Sequence, residues 1–491
     1  MTRLAPDPLV MRAARRPREP AVRSRTVAWT RAQLLDASNG LALSLANEGV
    51  GEGSRVAALL ADDLPAVVLI EALRRLGAVF VPLNRRAAVP ELRYQLGQVR
   101  AEALVHDEDR AGLAGSVAGS GPTLHRVEAL LAAAPCGGRL RLRDEVDLDA
   151  TAAIVFTSGT SGRARGAVLT HGNLGASAHA WSAVLRPRGG DRWLACLPFF
   201  HVAGLAIATR ASRWGVELEV EPRFDVSAVS AAIDSGVSHL SLVPSQLGVL
   251  LEARGERQVP PSLRAILLGG GPIPVDLLER ARVAGYPVLT TYGMTETSSG
   301  VAVGGADEAT RTDPTALRAL PGVSLRIEPA SKTDGSGDVQ VRGEMVFVGY
   351  VDEPAATARA LQDGWLHSGD VGTLDADGLL RIVDRRDDLI ISGGENIAPA
   401  EVELVLLAHP DVAEAAVVGL PHEHWGAVPI AAVVLRAGSA PSDKELLAYC
   451  RDRLAAFKIP VRITRLETLP RTDSGKVQRH LLRERLSGGM S

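Results

Sequence analysis

The stretch from Phe156 to Gly166 combines glycines with hydroxyl side chains and follows an apolar run, Ala152 to Phe156, that predicts a buried strand. Glycines let the backbone approach a ligand closely, so successive N–H groups can face an anion. Arg165 adds a fixed positive charge near the end of the stretch. This pattern predicts a phosphate-binding loop, and the alternative is an ordinary surface turn. The common nucleotide-binding loop is excluded, since it needs Gly-Lys-Ser/Thr where this chain has Ala164-Arg165-Gly166.

Polar clusters also follow two other predicted strands. His201 lies just beyond a strand predicted over Arg192 to Leu197, and Glu296 lies in the polar run Thr290 to Thr297. In open α/β sheets ligands bind beyond the carboxyl ends of the strands, which is where both clusters should lie. A carboxylate such as Glu296 suits Mg²⁺, which prefers one or two carboxylates together with phosphate oxygens. Taken alone, a histidine there is more often packed in the core, and a turn carboxylate is more often only solvated.

Three further clusters lie later in the chain. Trp365 to Asp370 ends in a carboxylate that could accept hydrogen bonds from a ribose, and Ser392 to Pro399 is a glycine-bearing loop ahead of a helix. Leu469 to Lys476 ends in a lysine on a turn. Each is more commonly structural when taken singly, but their joint occurrence in this order favours a shared ligand site.

The composition and charge of the chain limit the classes of function that it can have. The 491 residues carry a net charge of -3, which gives no general electrostatic reason to bind nucleic acid or an anionic membrane. The three cysteines, Cys136, Cys196 and Cys450, are far apart and predict reduced structural thiols. The N-terminal segment is not a secretory signal and the apolar runs are too short to span a membrane. We therefore expect a cytoplasmic protein, for which a homo-oligomer is compatible with the sequence.

The elements that would position these clusters alternate along the chain. Strands predicted at Arg55 to Leu60, Ala103 to His106 and Ala265 to Leu268 are interleaved with helices, which predicts parallel sheets covered on both faces. Between Gly322 and Gly372 the spacing shortens and predicts an antiparallel or barrel-like region. Beyond the charge cluster Asp384 to Asp388 a compact region follows, so we place a domain boundary at this cluster.

In this region strands are predicted at Val412 to Leu420 and Ile430 to Leu435. A helix is predicted from Asp443 to Phe457, opened by the capping-box spacing of Ser442 and Glu445.

Taken together and in this order, the motifs resemble those of the adenylate-forming superfamily of acyl-CoA synthetases, luciferases and peptide-synthetase adenylation domains. The resemblance runs from about residue 25 to 483. It implies an α/β fold whose large N-terminal domain, residues 1–383, contains two doubly wound sheets and a distorted β-barrel. Residues 384–388 would be a hinge about Asp387, and residues 389–491 a small, mobile α+β domain.

The resemblance also implies a role for each motif. The implied contacts to ATP are Thr157, Ser158, Gly159, Thr160, Ser161, Gly162 and Arg165 on the β- and γ-phosphates, Gly269, Gly270, Gly271, Pro272, Thr291, Tyr292 and Gly293 around adenine, and Asp370 and Arg385 on the ribose. The groups implied in the chemistry are Glu296 on Mg²⁺, Thr295 near the α-phosphate, Lys476 between the acyl carboxylate and the α-phosphate, and His201 beside the acyl pocket or the thiol entry. Gly393 and Gly394 would belong to the arrangement that forms the thioester.

The reaction that the resemblance implies explains why ATP, Mg²⁺ and coenzyme A would be needed. A carboxylate is a poor electrophile, so it first attacks the α-phosphate of ATP to give acyl-AMP and pyrophosphate. The thiol of coenzyme A then attacks the acyl carbon and AMP leaves. Negative charge builds up at phosphorus in the first step, which Lys476, Mg²⁺ and the loop donors would offset. Two dissimilar steps in one pocket give a reason for a small domain that rotates.

Within the superfamily, several stretches look closest to the o-succinylbenzoate–CoA ligases of menaquinone biosynthesis. They are Trp193 to Pro198, Ser241 to Leu247, Leu267 to Ser299 and Asp384 to Glu401. The amino-acid-activating branch is disfavoured, because it carries an aspartate where this chain reads Phe199-Phe200-His201. The alternative is an acyl-CoA synthetase for another aryl or short- to medium-chain acid.

Three positions depart from the usual pattern. Arg165 stands where the loop usually has the lysine of Pro-Lys-Gly, Gly300 replaces a frequent glutamine, and Ala203 replaces a frequent serine. The last two lie near the expected acyl pocket, so they bear on the substrate more than on the reaction. Two rivals remain at this stage, a nucleotide-holding relic and an oxygen-dependent luciferase. Retention of both Glu296 and Lys476 argues against the relic, and no residue stands out as the partner of a second substrate carboxylate.

Overall fold

The computed structural model describes residues 3–487 except 134–141, 158–163, 272, 330–334, 386–387, 389, 393–394, 423–424, 455 and 472–475. For residues 308, 309, 329, 384, 385, 391, 395 and 396 it describes the backbone alone. The elements up to the start of the predicted phosphate loop are β1 (Leu4–Pro6), α1 (Pro8–Arg15), β2 (Pro20–Arg23), β3 (Ala28–Thr30), α2 (Arg31–Asn47), β4 (Arg55–Leu59), α3 (Leu64–Leu76), β5 (Val79–Pro82), α4 (Val89–Val99), β6 (Ala103–His106), α5 (Ala111–Ala118), β7 (Thr123–Arg126), α6 (Val127–Ala132), β8 (Glu145–Asp147) and β9 (Thr151–Thr157).

The elements after this loop continue the alternation of strands and helices and then change to short strands. Those up to residue 312 are β10 (Arg165–Thr170), α7 (His171–Leu185), β11 (Arg192–Ala195), α8 (Val202–Trp214), β12 (Glu217–Val220), α9 (Val226–Asp234), β13 (His239–Leu242), α10 (Pro244–Arg254), β14 (Ala265–Leu268), α11 (Val275–Val283), β15 (Val288–Met294), β16 (Ser299–Gly304) and α12 (Glu308–Thr312). The remaining ones are β17 (Leu317–Ala319), β18 (Ser324–Pro329), β19 (Gly337–Arg342), β20 (Gly349–Tyr350), α13 (Pro354–Ala360), β21 (Leu361–Gln362), β22 (Trp365–Leu374), β23 (Leu379–Arg385), β24 (Ile390–Ser392), β25 (Glu395–Ile397), α14 (Pro399–Leu407), β26 (Val412–His422), β27 (Gly426–Leu435), α15 (Asp443–Arg451), β28 (Arg462–Arg465) and α16 (Arg479–Ser487).

The first large sheet has seven strands in the order β20-β10-β9-β5-β4-β6-β7. Strands β9, β5, β4, β6 and β7 are parallel, as the alternation of strands and helices predicts. Strand β10 returns antiparallel to β9 and pairs Arg165 with Thr157. This hairpin therefore brings the two ends of the predicted phosphate loop side by side. At the edge, β20 pairs with β10 and sets Tyr350 opposite Ala167.

The second large sheet has 14 strands and contains a parallel series, β15-β14-β13-β11-β12-β2. The carboxyl ends of β11, β14 and β15 lead into the segments that carry His201, Gly269 and Glu296. The prediction of two parallel sheets covered by helices is confirmed. Strands predicted at Ala103 to His106 and Ala265 to Leu268 have the same bounds in the structure.

Beyond β15 the second sheet becomes antiparallel, in the order β15-β16-β17-β23-β22-β19-β18. The prediction of antiparallel structure between Gly322 and Gly372 is thus confirmed, and these strands continue the second sheet. The pair β22–β23 sets Asp370 opposite Arg385. The backbone of the two residues implied in ribose binding is therefore adjacent.

The C-terminal part forms a separate five-stranded sheet of β24 to β28. The predicted capping box is present, since the Ser442 N–H donates to Oε2 of Glu445 at 2.6 Å. Helix α15 ends at Arg451, earlier than the predicted Phe457, which lies in a single 3-10 turn instead. Pro460 follows this turn and disfavours the helical conformation of the residue before it. Strand β23 belongs to the second large sheet and β24 to the five-stranded sheet. The domain boundary at residues 384–388 stays a prediction.

The core is built from the apolar faces of these layers. Trp181 and Trp193 are among the largest fully buried side chains. Cys196 and Cys450 are buried free thiols, and burial raises the pKa of Cys196 to about 12. Cys136 lies outside the described residues. Among the described helices, none has the length and apolar character that crossing a membrane requires.

Candidate active site

The ends of the predicted phosphate loop are joined by a hydrogen bond and an ion pair. Thr157 Oγ1 donates to the Arg165 carbonyl at 3.4 Å. The Arg165 Nε lies 3.1 Å from Oε2 of Glu353, and both side chains are 28% exposed. Glu353 also accepts a hydrogen bond from Gln98 Nε2 at 3.0 Å. The loop residues Ser158, Gly159, Thr160, Ser161 and Gly162 lie outside the described residues.

Glu296 lies on the single 3-10 turn Thr295–Thr297 that follows β15. The Tyr350 hydroxyl donates to its Oε1 at 2.7 Å, and the Phe347 N–H donates to its carbonyl at 2.8 Å. Burial and the nearby Glu296 carboxylate raise the pKa of Tyr350. No arginine, lysine or histidine of the described chain forms an ion pair with Glu296, so its charge is not neutralised. A half-buried carboxylate of this kind fits a cation such as Mg²⁺.

The neighbouring strands β14 and β15 bring together the glycines implied in adenine binding. A Cβ at Gly269 would lie 2.3 Å from Thr291 Oγ1, and a Cβ at Gly293 would lie 2.1 Å from the Ser299 carbonyl. Glycine is therefore required at both positions by close backbone approach. Gly270 has a φ of 86°, and Gly271 is exposed with no atom within 4 Å of its would-be Cβ. Pro272 lies outside the described residues.

Tyr292 connects the segment implied in adenine binding to the segment implied in ribose binding. Its hydroxyl donates to Oδ2 of Asp370 at 2.8 Å. Asp370 is 5% exposed, and its N–H donates to Ser368 Oγ at 3.1 Å. The backbone of Arg385 is opposite Asp370, and its side chain lies outside what the structure describes. Two of the residues that sequence reasoning brought together, Tyr292 and Asp370, are thus in direct contact.

His201 is held in a loop between β11 and α8. It precedes the first turn of α8, and its ring lies 4.6 Å from the Phe200 ring between centroids. The Phe199 N–H donates to Oδ1 of Asp62 at 2.7 Å, and Asp62 is paired with Arg85. Burial raises the pKa of Asp62 despite that arginine. Sequence reasoning missed Asp62 and Arg85, because they lie more than a hundred residues before the loop that they fix.

A buried arginine lies on α8, the helix that follows this loop. Arg210 is 2% exposed, and burial lowers its pKa to about 9. Its guanidinium carbon lies 5.1 Å from the Trp181 ring centroid and 5.8 Å from that of Trp193. Its Nη2 is 3.5 Å from Ser177 Oγ, and its Nε has no hydrogen-bond partner in the described part of the chain. Among the described residues, no carboxylate pairs with this cation.

Trp181 also explains the glycine at position 300. A Cβ at Gly300 would lie 2.7 Å from Cζ2 of the Trp181 ring, and the indole N–H donates to the Gly300 carbonyl at 3.2 Å. A glutamine at this position would require the ring to move. The departure noted in the sequence is therefore matched by a tryptophan that fills the same space and contacts Arg210.

The C-terminal part contributes Lys476. This exposed residue directly precedes Val477, which pairs with Arg471 in an isolated antiparallel bridge. Among the described residues, no hydrogen bond or ion pair joins Lys476 to Glu296. Asp388, at the end of the predicted hinge, lies 3.3 Å from Arg479 Nε on α16. Gly393, Gly394 and Asp387 lie outside the described residues.

Sequence reasoning also missed Tyr350, Glu353 and Arg210. For Arg210 there was a signal, since it is a charged residue two positions after the apolar run from Leu205 to Ala208 on the same helix. Tyr350 and Glu353 gave none, because their importance comes from the pairing of β20 with β10. A further group, Glu328, Asp338 and His367, has ligand-type atoms within 4.8 Å of one another on β18, β19 and β22. The 2.9 Å contact from His367 Nδ1 to Asp338 Oδ2 braces the strand that carries Asp370.

Comparison with known proteins gives consistent matches over nearly the whole chain. Residues 9–351 match the family described as AMP-binding enzyme, and residues 401–476 match the AMP-binding enzyme C-terminal domain. A 2-succinylbenzoate–CoA ligase of Geobacillus kaustophilus (strain HTA426) is 40% identical over 488 residues, which cover 97% of each chain.

Solved structures of one enzyme match in more than one complex. The o-succinylbenzoate CoA synthetase (MenE) from Bacillus subtilis with the acyl-adenylate intermediate OSB-AMP has a TM-score of 0.92 at 36% identity, over 98% of both chains. Its complex with ATP and magnesium ion also gives 0.92, over 98% of this chain and 100% of the other. A double mutant of it bound to the product analogue OSB-NCoA gives 0.75, over 98% and 99%. These matches confirm the predicted fold class and the resemblance.

Proposed function

Because the chain belongs to the AMP-binding enzyme family, we propose that it is an ATP-dependent acid–CoA ligase that converts o-succinylbenzoate to its CoA thioester in menaquinone biosynthesis. The identity of 40% to a 2-succinylbenzoate–CoA ligase over 97% of both chains supports this assignment. The TM-score of 0.92 to the B. subtilis synthetase bound to OSB-AMP supports the same substrate. The alternative remains another acid, aryl or short- to medium-chain.

The described residues fit the two steps of this reaction. Tyr292 and Asp370 would hold adenosine beside the open edge at Gly271, and the loop that ends at Arg165 would bind the β- and γ-phosphates. Glu296 would bind Mg²⁺, which offsets phosphate charge when it is bound. Thr295, on the same turn, would lie near the α-phosphate.

The remaining assignments also stay part of the proposal. They are Gly269, Gly270, Pro272, Thr291 and Gly293 around adenine, Arg385 on the ribose, Gly393 and Gly394 in thioester formation, and His201 beside the acyl group.

The observation in the structure that carries the substrate proposal is the buried cation Arg210. A buried charge is costly unless it is paired, and no described carboxylate of the chain pairs with this one. o-Succinylbenzoate has two carboxylates, of which adenylation uses one. We propose that Arg210 binds the other, beside the Trp181 ring. A substrate with a single carboxylate would leave this guanidinium unpaired.

The test is ATP–pyrophosphate exchange across a panel of carboxylic acids. We expect exchange with o-succinylbenzoate and much weaker exchange with 3-benzoylpropionate, which keeps the succinyl carboxylate and lacks the ring carboxylate. Equal exchange with both acids would contradict the role of Arg210, and preference for an unrelated acid would contradict the substrate. Absence of exchange with every acid tested would contradict the assignment as a ligase.

Lys476 provides a prediction for the first step alone. Since it would bridge the acyl carboxylate and the α-phosphate, Lys476→Ala should slow adenylation about 10²–10³-fold, as loss of one charge-stabilising donor often does. Thioester formation from supplied acyl-AMP should be preserved, and single-turnover assays of each half-reaction measure both. Equal loss of both half-reactions would contradict this role.

The domain division remains a proposal, with residues 384–388 as a hinge between residues 1–383 and 389–491. The TM-score of 0.92 to the acyl-adenylate complex against 0.75 to the product-analogue complex of the same enzyme supports two arrangements of one fold. The reaction would take place in the cytoplasm, where ATP, CoA and the free acid are available. We propose no nucleic-acid partner.

A further inference from the structure

Tyr350 contacts both of the charged residues that would hold the phosphates and the metal. Its hydroxyl donates to Oε1 of Glu296 at 2.7 Å. The guanidinium carbon of Arg165 lies 5.8 Å from the centroid of its ring. No other hydrogen bond from the described residues reaches the Glu296 carboxylate.

The backbone fixes Tyr350 between these two partners. Strand β20 sets it opposite Ala167, two residues beyond Arg165. Its N–H donates to Thr357 Oγ1 at 2.9 Å, and its ring meets the Phe347 ring edge-on at 4.8 Å between centroids. Phe347 in turn donates its N–H to the Glu296 carbonyl at 2.8 Å. The segment 347–350 therefore holds Glu296 by both its backbone and its side chain.

We propose that Tyr350 is a positioning residue that couples the metal-binding carboxylate Glu296 to the loop cation Arg165. This inference rests on the proposed ATP-dependent function. The hydroxyl occupies Oε1 and orients the carboxylate, leaving Oε2 for the cation. The ring packs against the Arg165 guanidinium. One side chain therefore positions both the proposed phosphate-binding residue and the proposed metal-binding residue.

The hydroxyl and the ring make separable contributions. A hydrogen bond to a charged acceptor contributes about a tenfold factor in an equilibrium, and an arginine over an aromatic ring about a threefold factor. The hydroxyl acts only through Glu296, so its effect should require Mg²⁺. The ring acts through Arg165, so its effect should persist without Mg²⁺.

Two variants separate these contributions, measured as ATP affinity by calorimetry with Mg²⁺ and again with EDTA. Tyr350→Phe should weaken binding of ATP about tenfold with Mg²⁺ and leave it unchanged in EDTA. Tyr350→Leu should also weaken binding in EDTA, about threefold. In a Glu296→Gln background, Tyr350→Phe should have no further effect. Tyr449→Phe is the matched control, since that hydroxyl donates to the Ala408 carbonyl in the C-terminal sheet region.

The outcomes are distinct. A Tyr350→Phe variant that binds ATP like the wild type in both conditions, or that loses affinity equally in both, overturns the inference. A shift in thermal midpoint for Tyr350→Phe with unchanged Mg²⁺ dependence assigns the hydroxyl to stability alone and also overturns it. Wild-type protein that binds no ATP in either condition would remove the proposed function itself, before any variant is considered.

Discussion

Two charged clusters of this molecule differ in the partners of their charged side chains. In the ATP-side cluster, consisting of Arg165, Glu296, Tyr350 and Glu353, each charged side chain has a partner from the chain. Arg165 lies 3.1 Å from Glu353, and Glu296 accepts from Tyr350 at 2.7 Å. The acyl-side cluster consists of Arg210, Trp181, Trp193 and Ser177. Its arginine is 2% exposed and contacts the two aromatic rings and a hydroxyl 3.5 Å away.

This difference in partners indicates which existing contacts ATP and the acid substrate would have to replace on binding. ATP would have to compete with Glu353 for Arg165, so part of its binding energy is offset by an existing ion pair. A second substrate carboxylate would meet a desolvated cation with no competing carboxylate among the described residues. Buried charges interact more strongly than exposed ones, because the local dielectric is low. We therefore expect larger mutational effects in the acyl-side cluster than at the Arg165–Glu353 pair.

The largest effect should come from Arg210→Met. Removing one partner of a buried charge pair costs about 2–5 kcal/mol, so adenylation of o-succinylbenzoate should fall at least about 30-fold in kcat/KM. Exchange with 3-benzoylpropionate should change little, since that acid lacks the second carboxylate. The thermal midpoint should not fall, because an apolar side chain replaces an unpaired buried charge.

Arg213→Met is the matched control for this variant. Arg213 lies one turn further along α8, and burial also lowers its pKa, but its Nη2 contacts the His171 carbonyl. Its loss should affect stability and leave the ratio between the two acids unchanged. If Arg210→Met lowered the thermal midpoint and preserved the ratio, the cation would be structural and the contrast between the clusters would disappear.

A smaller effect should follow Gly300→Ala. The new Cβ would lie 2.7 Å from Trp181 Cζ2, and the rigid ring can relieve this contact only by moving with Arg210. Overpacking of this kind costs about 1–3 kcal/mol in the free energy of unfolding, measured by urea titration. Gly248→Ala is the control, since its nearest neighbour would be 4.0 Å away on Leu277. Equal stability of the two variants would show that Trp181 does not constrain this position.

Much of the fold followed from local pattern. Alternating apolar runs predicted several parallel strands, such as β6 and β14, and the capping box at Ser442 predicted the start of α15. The end of α15 was wrong by several residues, because the pattern of apolar residues continues to Phe457, beyond the last helical turn at Arg451. The contact between Tyr292 and Asp370 agrees with the motifs, since both lie in segments that the resemblance assigned to ATP.

The two charged clusters were less accessible to sequence reasoning. Glu296 and Arg165 were predicted from motifs, but their partners were not: Tyr350 lies on a two-residue edge strand without a pattern of its own, and Glu353 lies just before α13. Arg210 lies on the apolar, buried face of α8, and the sequence shows this charged residue there. The sequence alone does not distinguish a structural role from a role in binding. Only the three-dimensional arrangement shows that no described carboxylate lies against it.

The smallest effect should come from Glu353→Gln. This substitution removes the carboxylate that holds Arg165 in the absence of ATP, and partly exposed ion pairs contribute about 0.2–1 kcal/mol. ATP affinity by calorimetry should therefore rise, by up to about fivefold, and the gain should shrink as salt screens the pair in the wild type. Asp352→Asn is the control, because that neighbouring carboxylate pairs with Arg100 instead. Weaker binding by Glu353→Gln would mean that Glu353 orients Arg165 for the phosphates, and the ATP-side cluster would then be preorganised for its ligand in the same way as the acyl-side cluster.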